Sequence, residues 1–483
     1  MANTVAELVF IPAPAVGHIM SIIEMAKVLL NHDQRLSITV LLINPPFSIS
    51  ALTTYIQSLA KNTIERIRFI KLPQDQTPPK LDPKAPFSSF YEFNNSHCKY
   101  VRNIMADMMN QTDSVRVVGF VVDISCTGMI DVANELNLPA YVYFTSNAAF
   151  LGFKVYMETL YVDQKLDVIE LSNSEGEIVV PSFVNPVPTK VYPAPYKVQD
   201  GLDFMLSTIG KMREAKGIMV NTFLELEPHA IKSFSDTNFP PVYPVGPILN
   251  LDGVAGNGDG SDLFRWLDDQ PRSSVVLLCF GSMGCFDEVQ VKEIARGLER
   301  SGYRFVWSLR RPPPLDQSYE VFPIDYDDPR VVLPDGFLER TSGIGKVIGW
   351  APQVSLLAHA AVGGFVSHCG WNSLLESLWF GVPTATLPIY CEQQMNAFQM
   401  VVEMGLAVDL KMDYKINVFN PEGDVVIVTA EEIESGIRRG MEDKEVRAKV
   451  KEMSKMSRAA VAEGGSSYAS IGYIVKNIMS NII

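Results

Sequence analysis

The segment GGFVSHCGWNSLLES, residues 363–377, passes from an apolar run directly into a helical pattern. Residues 363–366 predict a short buried parallel strand, and the apolar spacing over 374–380 predicts an amphipathic helix. A helix N-terminus beyond the carboxyl end of a parallel strand presents unpaired backbone N–H groups to an anion. Ser373 and Glu376 also fit the Ser-x-x-Glu capping box, which would satisfy some of those groups instead. The segment therefore predicts an α/β fold with an anion site where this strand meets its helix.

The rest of the chain repeats this alternation of apolar strands and helical stretches, which is typical of α/β proteins with parallel sheets. The strands are predicted at residues 8–12, 38–43, 67–72, 117–123, 140–145 and 217–223 in the first half, and 275–282, 304–309, 346–350, 363–367 and 384–388 in the second. A Gly- and Asp-rich stretch between them predicts a linker. We expect domains at 1–248 and 263–460, a linker at 249–262, and a C-terminal helical segment at 461–483 that packs back on the first domain.

The composition excludes several classes of protein. The 483 residues are 47% apolar and 20% charged, which is enough for two cores, and the net charge is −14. That charge argues against nucleic acid and against anionic lipid as partners. No apolar run is long enough to span a bilayer, and the N-terminus has no basic leader. We therefore expect neither a membrane nor a nucleic acid as a partner.

Cysteines and histidines give no sign of a metal site. The six cysteines are scattered without zinc-like or disulfide-scaffold spacing, which predicts reduced thiols in the cytoplasm. The six histidines form no His-Glu-x-x-His pair. We therefore predict no metal.

His18 and Asp123 are the candidate catalytic pair. His18 follows the first predicted strand, and Asp123 ends the strand VVGFVVD, where an unpaired carboxylate would be unusual. Both strands end on the same edge of one sheet, so the two side chains can meet. Histidine has a pKa of about 6.5, which suits a general base, and a carboxylate on its far nitrogen would fix the tautomer. Alternatively, His18 is only a hydrogen-bond donor at a helix start.

The segment WAPQVSLLAHAAVGGFVSHCGWNSLLESLWFGVPTATLPIYCEQ, residues 350–393, resembles the signature box of plant family 1 glycosyltransferases, which use UDP-sugars. The resemblance covers essentially the whole chain, including PAPAVGH (12–18), FTSNA (144–148) and LCFGSMG (278–284). It implies the GT-B fold, in which two Rossmann-like domains with parallel sheets face each other across a cleft. The first domain would bind the acceptor and the second the UDP-sugar.

The resemblance also implies an activity. The enzyme would transfer glucose from UDP-glucose to a hydroxyl of a small lipophilic aglycone, such as a flavonoid, another phenolic or a terpenoid. The reaction would invert the anomeric carbon and give a β-glucoside. We expect no cofactor, no metal and a monomeric, cytoplasmic protein.

By the same resemblance, His18 would be the general base and Asp123 would orient it. The residues expected to bind UDP are Ser282, Trp350, Ala351, Gln353, His368, Asn372, Ser373 and Glu376. Those expected to bind the sugar are Thr145, Trp371, Glu392 and Gln393. Those expected to line the acceptor site are Val16, Phe87, Phe90, Phe150, Cys285 and Tyr390.

For some of these residues the resemblance competes with a simpler interpretation. Trp350 would stack on uracil, whereas a tryptophan at a strand end can equally be a core residue. Glu376 would bind the ribose hydroxyls rather than cap the helix, and His368 and Ser373 would contact phosphate oxygens. Gln393 at the end of the box points to glucose as the sugar.

Two other functions remain open at this stage. The alternation of strands and helices also fits a Rossmann-type oxidoreductase, although the first turn lacks the G-x-G-x-x-G fingerprint. A carrier that holds a UDP-sugar without transferring it is the second alternative. His18 and Asp123 argue against a carrier, because such a protein would not need the pair.

Overall fold

The computed structural model describes residues 5–44, 55–57, 59, 64–74, 79, 82, 84–110, 115–235, 237–251, 261–313, 323–415 and 426–482. Most of the predicted linker at 249–262 lies outside these ranges, as does the middle of the irregular segment at 310–329.

The first half of the chain forms a parallel sheet whose two faces are covered by apolar cores. The strands in this half are β1 (Val5–Ile11), β2 (Leu36–Leu42), β3 (Ile67–Lys71), β4 (Val115–Asp123), β5 (Ala140–Phe144), β6 (Glu177–Ile178), β7 (Val187–Pro188), β8 (Gly217–Val220) and β9 (Val242–Pro244). The sheet order is β3-β2-β1-β4-β5-β8-β9, while β6 and β7 form a small antiparallel pair. Strands β1 and β4 are therefore neighbours, with Ile11 beside Val122.

Helices cover both faces of this sheet, as right-handed parallel crossovers require. They are α1 (Val16–His32), α2 (Pro86–Ser96), α3 (Cys98–Met109), α4 (Met129–Glu135), α5 (Ala148–Val162), α6 (Val168–Asn173), α7 (Gln199–Met212) and α8 (Pro228–Lys232). Asn147 caps the start of helix α5, and its side chain accepts the backbone N–H of Phe150. Asp200 of α7 accepts the N–H groups of Phe87 and Ser88, which fixes the start of α2 against α7.

The second half forms another parallel sheet, in the order β14-β11-β10-β15-β16-β17. The strands of this half are β10 (Val275–Cys279), β11 (Arg304–Ser308), β12 (Arg310–Arg311), β13 (Ile324–Asp325), β14 (Gly345–Ile348), β15 (Val362–Ser367), β16 (Thr384–Thr386) and β17 (Ala407–Asp409). Strands β12 and β13 pair antiparallel, apart from the main sheet. The remaining helices are α9 (Asp262–Asp268), α10 (Glu288–Ser301), α11 (Phe337–Arg340), α12 (Gln353–Ala358), α13 (Trp371–Phe380), α14 (Gln393–Phe398), α15 (Ala430–Glu442), α16 (Lys444–Val461) and α17 (Ser466–Met479).

The last helix, α17, lies against the first half of the chain. Ile471 and Ile474 are buried in the same core cluster as Ile22 and Leu29 of α1. Ser467 donates a hydrogen bond to the carbonyl of Gly246. The chain therefore returns to its first half after completing the second sheet.

The two parallel sheets confirm the predicted α/β architecture, and the domain boundaries stay a prediction. Several details differ from the sequence prediction. Strand β8 ends at Val220, three residues before the predicted end, and helix α13 starts at Trp371, three residues before the predicted start. Strands β9 and β17, and the two-residue strands β6, β7, β12 and β13, were not predicted, because such short segments carry little periodic pattern.

Buried hydrogen bonds join the two halves beneath the cleft between them. The Trp371 indole N–H donates to the Asn221 carbonyl at 2.7 Å, and the Asn221 amide donates to Asn372 Oδ1 at 3.3 Å. Asn147 donates to Asn396 Oδ1 at 2.6 Å. Because a buried polar group without a partner is costly, these bonds specify how the two sheets face each other.

Trp371→Phe tests the bond to the Asn221 carbonyl. The substitution removes the donor, and we expect the free energy of unfolding to fall by about 1–3 kcal/mol more than in Trp307→Phe. Trp307 is a matched control, since it is equally buried and its indole nitrogen has no hydrogen-bond partner among the described residues. Urea unfolding followed by far-UV circular dichroism measures both variants. Equal losses in the two would mean that the bond contributes no stability.

Candidate active site

His18 and Asp123 form a hydrogen-bonded pair at the carboxyl edge of the first sheet. His18 lies in the first turn of α1, which follows β1, and Asp123 ends the adjacent strand β4. His18 Nδ1 is 2.7 Å from Asp123 Oδ2. Asp123 is fully buried and its other oxygen accepts the N–H of Ser125, whereas 35% of the His18 side chain is exposed. The carboxylate therefore holds the proton on Nδ1 and leaves Nε2 as the basic nitrogen.

The pKa of His18 is set from both halves of the chain. Burial lowers the pKa, but the charge and hydrogen bond of Asp123 raise it, and the charge of Glu392 raises it further, so that the net shift is upward. Burial raises the pKa of Glu392, an effect partly offset by the charges of His18 and Lys154. Glu392, which precedes α14 in the second half, thus interacts with two cationic side chains of the first half.

A cleft of about 360 Å³ adjoins this pair. Its lining includes Gly17 of the first half, next to His18, and a set of residues from the second half. Residues predicted to bind UDP that line the cleft are Ser282, Trp350, Ala351, Gln353, Asn372, Ser373 and Glu376. The structure therefore brings seven of the eight predicted residues together.

His368, the eighth, lies behind the cleft between two glycines. A Cβ atom at Gly281 or Gly370 would come within 2.6 or 2.5 Å of His368 Nε2, so only glycine leaves room for the ring. His368 Nδ1 is buried without a hydrogen-bond partner among the described residues. Burial lowers the pKa of His368 to about 4, so the ring is neutral near pH 7 and carries a single N–H. An orphaned nitrogen beside a helix start suits an anionic ligand.

The capping-box interpretation of Ser373 and Glu376 is wrong. Helix α13 begins after Gly370, and no side chain caps its first turn. Instead, Gln353 donates to Glu376 Oε2 at 2.6 Å and to Ser373 Oγ at 2.8 Å. Cys369 adopts a left-handed backbone conformation with φ of 63°, a strained arrangement that turns the chain from β15 into the helix. The first-turn N–H groups of α13 are thus left without a side-chain cap.

Glu376 is also electrostatically unusual. Burial raises its pKa to about 7, although the hydrogen bond from Gln353 acts in the opposite direction. Its carboxyl group therefore changes charge near neutral pH, at the edge of the cleft that Trp350 and Gln353 line.

Trp350 is not a core residue, because 57% of its surface is exposed. The guanidinium of Arg310 lies 5.1 Å from the centre of its ring, a cation–π contact that holds the exposed indole in place. Arg310 is in turn paired with Asp325 Oδ1 at 2.9 Å, and it lines the cleft. The sequence analysis missed Arg310. Its position two residues after the end of strand β11, close to the carboxyl edge of the second sheet, was the available signal.

The predicted sugar residues differ in what their side chains can offer. The Trp371 indole is almost wholly buried and its N–H is bonded to Asn221, so its ring is committed to the junction of the two halves. Gln393 Oε1 accepts the N–H groups of Ile389 and Tyr390 at 2.9 and 3.1 Å, which fixes the amide orientation and leaves its NH2 to donate. Thr145 follows β5 at the sheet edge and is half-buried. Their roles stay predictions.

The predicted acceptor residues have unequal exposure. Phe150 is nearly buried and packs against Phe144 and Phe153. Phe204 of α7 stacks on Phe87 with ring centres 6.1 Å apart, and sequence reasoning did not identify it. The predicted residues that are half-buried are Val16, Phe87, Phe90, Cys285 and Tyr390. None of the predicted acceptor residues is among those that line the 360 Å³ cleft, so the acceptor site stays a prediction.

Within the described ranges, no cluster of His, Cys, Asp and Glu side chains has a geometry that could hold a metal ion. No helix in those ranges is long and apolar enough to cross a membrane. The six cysteines are unpaired.

Comparisons with known proteins show which family the chain resembles. Residues 16–417 match the family model described as "UDP-glucoronosyl and UDP-glucosyl transferase". The chain is 49% identical to "UDP-glucose flavonoid 3-O-glucosyltransferase 6" of Fragaria ananassa, over 99% of both chains. It is 50% identical to "UDP-glycosyltransferase 71A15" of Malus domestica, over 98% of this chain and 99% of the other.

Solved structures are similar over the same extent. A UGT transferase from Siraitia grosvenorii in complex with UDP has a TM-score of 0.85 at 45% identity, covering 98% of this chain and 100% of the other. Medicago truncatula UGT71G1 complexed with UDP-glucose has a TM-score of 0.83 at 39% identity, covering 99% of both. This likeness confirms the GT-B fold.

The raised pKa of Glu376 predicts a pH-dependent effect on stability. The folded protein retains the Glu376 proton up to about pH 7, whereas the unfolded chain loses it near pH 4.5. The contribution of Glu376 to stability therefore falls as pH rises from 5 to 8. We expect the melting temperature of Glu376→Gln, relative to the unsubstituted protein, to be higher at pH 8 than at pH 5.

Glu299→Gln is the matched control. Its hydrogen bond to Arg340 lowers the pKa of Glu299 below 4.5, so Glu299 is ionised in both states throughout this range. The effect of Glu299→Gln should be the same at both pH values. A Glu376→Gln effect that is also independent of pH would contradict the protonation assigned to Glu376.

Proposed function

Because the chain belongs to the UDP-glycosyltransferase family, as a plant family 1 glycosyltransferase, we propose that it transfers glucose from UDP-glucose to a hydroxyl group of a small lipophilic aglycone. The aglycone is a flavonoid, another phenolic or a terpenoid, and the product is a β-glucoside. The naming of one 49% identical relative as a flavonoid glucosyltransferase supports this choice of donor and acceptor.

The observation that carries the proposal is the His18–Asp123 pair beside the cleft. The 2.7 Å bond to Nδ1 leaves Nε2 as a base, and Glu392 of the second half interacts electrostatically with the same ring. His18 of the first half and Glu392 of the second half are thus close to each other. We infer that the acceptor and the donor sugar meet between them. A carrier of UDP-sugar would have no use for this arrangement.

The reaction is a direct displacement. The acceptor hydroxyl loses its proton to His18 Nε2 while its oxygen forms a bond to the anomeric carbon. The bond between that carbon and the β-phosphate oxygen breaks, and UDP leaves with the electron pair. Asp123 stabilises the imidazolium that forms, and attack from the face opposite UDP inverts the anomeric carbon.

The donor is held by the second half. Trp350 stacks on uracil, with Ala351 at the uracil edge, while Gln353 and Glu376 bind the ribose. His368, Ser373, Ser282 and Asn372 surround the diphosphate at the uncapped start of α13, where fixed N–H groups and the helix dipole stabilise charge developing on UDP. These dipoles stabilise the negative charge of the diphosphate, as a metal ion would, so the transfer needs no metal.

The sugar and acceptor meet beside His18. Glu392 and Gln393 bind the glucose hydroxyls, with Thr145 and the backbone of Trp371 near them. The acceptor contacts Phe87, Phe90 and Phe150, together with Val16 of the same half and Cys285 and Tyr390 of the second half. We further propose that the enzyme is monomeric and cytoplasmic.

His18→Ala tests the proposed base. We expect turnover with UDP-glucose and a phenolic acceptor to fall by about 10²–10⁴-fold, while calorimetric affinity for UDP changes little. In the unsubstituted enzyme the rate should rise with pH through the raised pKa of His18. Asp123→Asn should lower the rate. It should also move this rise of the rate to lower pH, because it removes the charge that raises the pKa of His18.

His359→Ala is the matched control, since His359 also lies beside a carboxylate, at 3.1 Å from Asp268. This second pair is outside the cleft, and turnover should stay within twofold of the unsubstituted enzyme. If His18→Ala retained full turnover, the catalytic assignment would be wrong. If UDP-glucose bound but no acceptor in a phenolic and terpenoid panel gained glucose, the protein would be a carrier.

Gln393→Glu tests the choice of sugar. A glutamate can still accept the N–H groups of Ile389 and Tyr390 but cannot donate as the amide does. We expect turnover with UDP-glucose to fall by roughly tenfold to a hundredfold, because losing one hydrogen-bond donor costs about 1–3 kcal/mol. The affinity for UDP should change little.

The unsubstituted enzyme should prefer UDP-glucose over UDP-galactose and UDP-glucuronate. Competition of the three donors for one acceptor, with products separated by mass, measures this preference. Equal use of galactose and glucose would refute the role of Gln393.

A further inference from the structure

Ser21 and Tyr143 form a buried hydrogen bond that the reaction described above does not use. Their hydroxyl oxygens are 2.8 Å apart. Tyr143 is fully buried and only 5% of Ser21 is exposed, yet Ser21 is among the residues that line the cleft. Burial raises the pKa of Tyr143 well above its usual range, so the phenol stays protonated near neutral pH. Because a buried hydroxyl without a partner is costly, the bond specifies how the two side chains meet.

The bond joins the same two elements as the His18–Asp123 pair, or their direct neighbours. On α1, Ser21 follows His18 by three residues and therefore lies on the same side of the helix. In the sheet, Tyr143 of β5 is the parallel partner of Asp123 of β4, so both side chains point to the same face. Two hydrogen bonds, of 2.7 and 2.8 Å, thus connect one side of α1 to two adjacent strands.

The start of α1 depends on these bonds for its exact position. Among the described residues, no side chain caps this helix, whose first turn carries His18. Ile19 and Ile22 pack in the same apolar cluster as Tyr143, but apolar packing is non-directional and tolerates small rotations of a helix. A hydrogen bond weakens steeply when its distance or angle changes. The bond between Ser21 and Tyr143 therefore limits movements that packing alone allows.

We propose that the Ser21–Tyr143 bond holds α1 in place, so that the His18 ring keeps its position against the carboxylate on β4. In this role both are positioning residues, because they act through His18 rather than on the substrate. The carboxylate of Asp123 is fixed on its other side, where it accepts the N–H of Ser125. A shift of α1 would therefore change the distance between the ring and this carboxylate. The inference rests on the proposed function of His18 as the base.

A displaced His18 would titrate differently. Burial lowers its pKa, whereas Asp123 on β4 and Glu392 ahead of α14 raise it. A longer distance to Asp123 weakens the attraction that favours the imidazolium, so the pKa of His18 falls. A merely structural contribution of the Ser21–Tyr143 bond would lower stability without changing this pKa.

Tyr143→Phe and Ser21→Ala each remove the bond. Nuclear magnetic resonance of the protein with ¹³C-labelled histidine rings follows the titration of His18 without requiring activity, and the His18 signal is the one missing from His18→Ala. We expect the midpoint of this titration to fall by roughly half a pH unit in both variants. Far-UV circular dichroism shows that each variant is folded at the temperature of the titration.

The rates provide a second measurement. With UDP-glucose and a phenolic acceptor, kcat of Tyr143→Phe should fall by about tenfold, because a misplaced base is inefficient, while calorimetric affinity for UDP changes little. The doubly substituted variant should be about as slow as the slower single variant, since both substitutions remove the same bond. Multiplicative losses would mean that the two hydroxyls act independently and would contradict the proposal.

Tyr141→Phe is the matched control. Tyr141 lies on the same strand and the same face as Tyr143 and is 1% exposed, and its hydroxyl has no hydrogen-bond partner among the described residues. Its substitution should change neither kcat nor the titration of His18.

The outcomes separate this inference from the proposed function. If folded Tyr143→Phe and Ser21→Ala keep the His18 pKa of the unsubstituted protein, the positioning role is wrong even if kcat falls, and glucosyl transfer stands. If the pKa falls as expected but the unsubstituted protein transfers glucose to no acceptor, the proposed function fails and the positioning of the ring stands.

Discussion

The hydrogen bond from the Trp371 indole to the Asn221 carbonyl sets the geometry on which the rest of the cleft depends. It joins the first residue of α13 to the residue that follows β8, and both groups are buried. A buried carbonyl that loses its donor is costly, so the start of α13 has one favourable position relative to the first sheet. The distance between the uncapped helix start and His18 follows from that position.

Burial also controls the charges in the cleft. It keeps His368 neutral and holds the proton of Glu376 up to about pH 7, and it opposes the charge of Lys154. His18 is the exception, because the buried carboxylate of Asp123 raises its pKa. The ring proposed as the base is therefore supplied with a counter-charge, while burial favours the neutral forms of His368 and Glu376.

Much of this arrangement could be predicted from the sequence, because the relevant residues end strands on one sheet edge. That rule places His18 and Asp123 on one sheet edge, and the pairing of β1 with β4 makes them neighbours. The local sequence pattern gave a wrong prediction for Glu376. Its Ser-x-x-Glu motif predicted a helix cap, but Gln353 of α12 binds both side chains instead. It could not identify Asn221 or Arg310 either, because their importance arises from contacts between segments far apart in the chain.

The return of α17 to the first half has a mechanical consequence. The chain crosses between the halves after the first sheet and again before α17, whose Ile471, Ile474 and Ile478 are buried against α1 and its neighbours. Separating the halves would therefore strain the short connection at 462–465 or pull this apolar face away from α1. The packing of α17 on α1 thus links the two halves. On heating, both sheets should unfold together in a single cooperative transition.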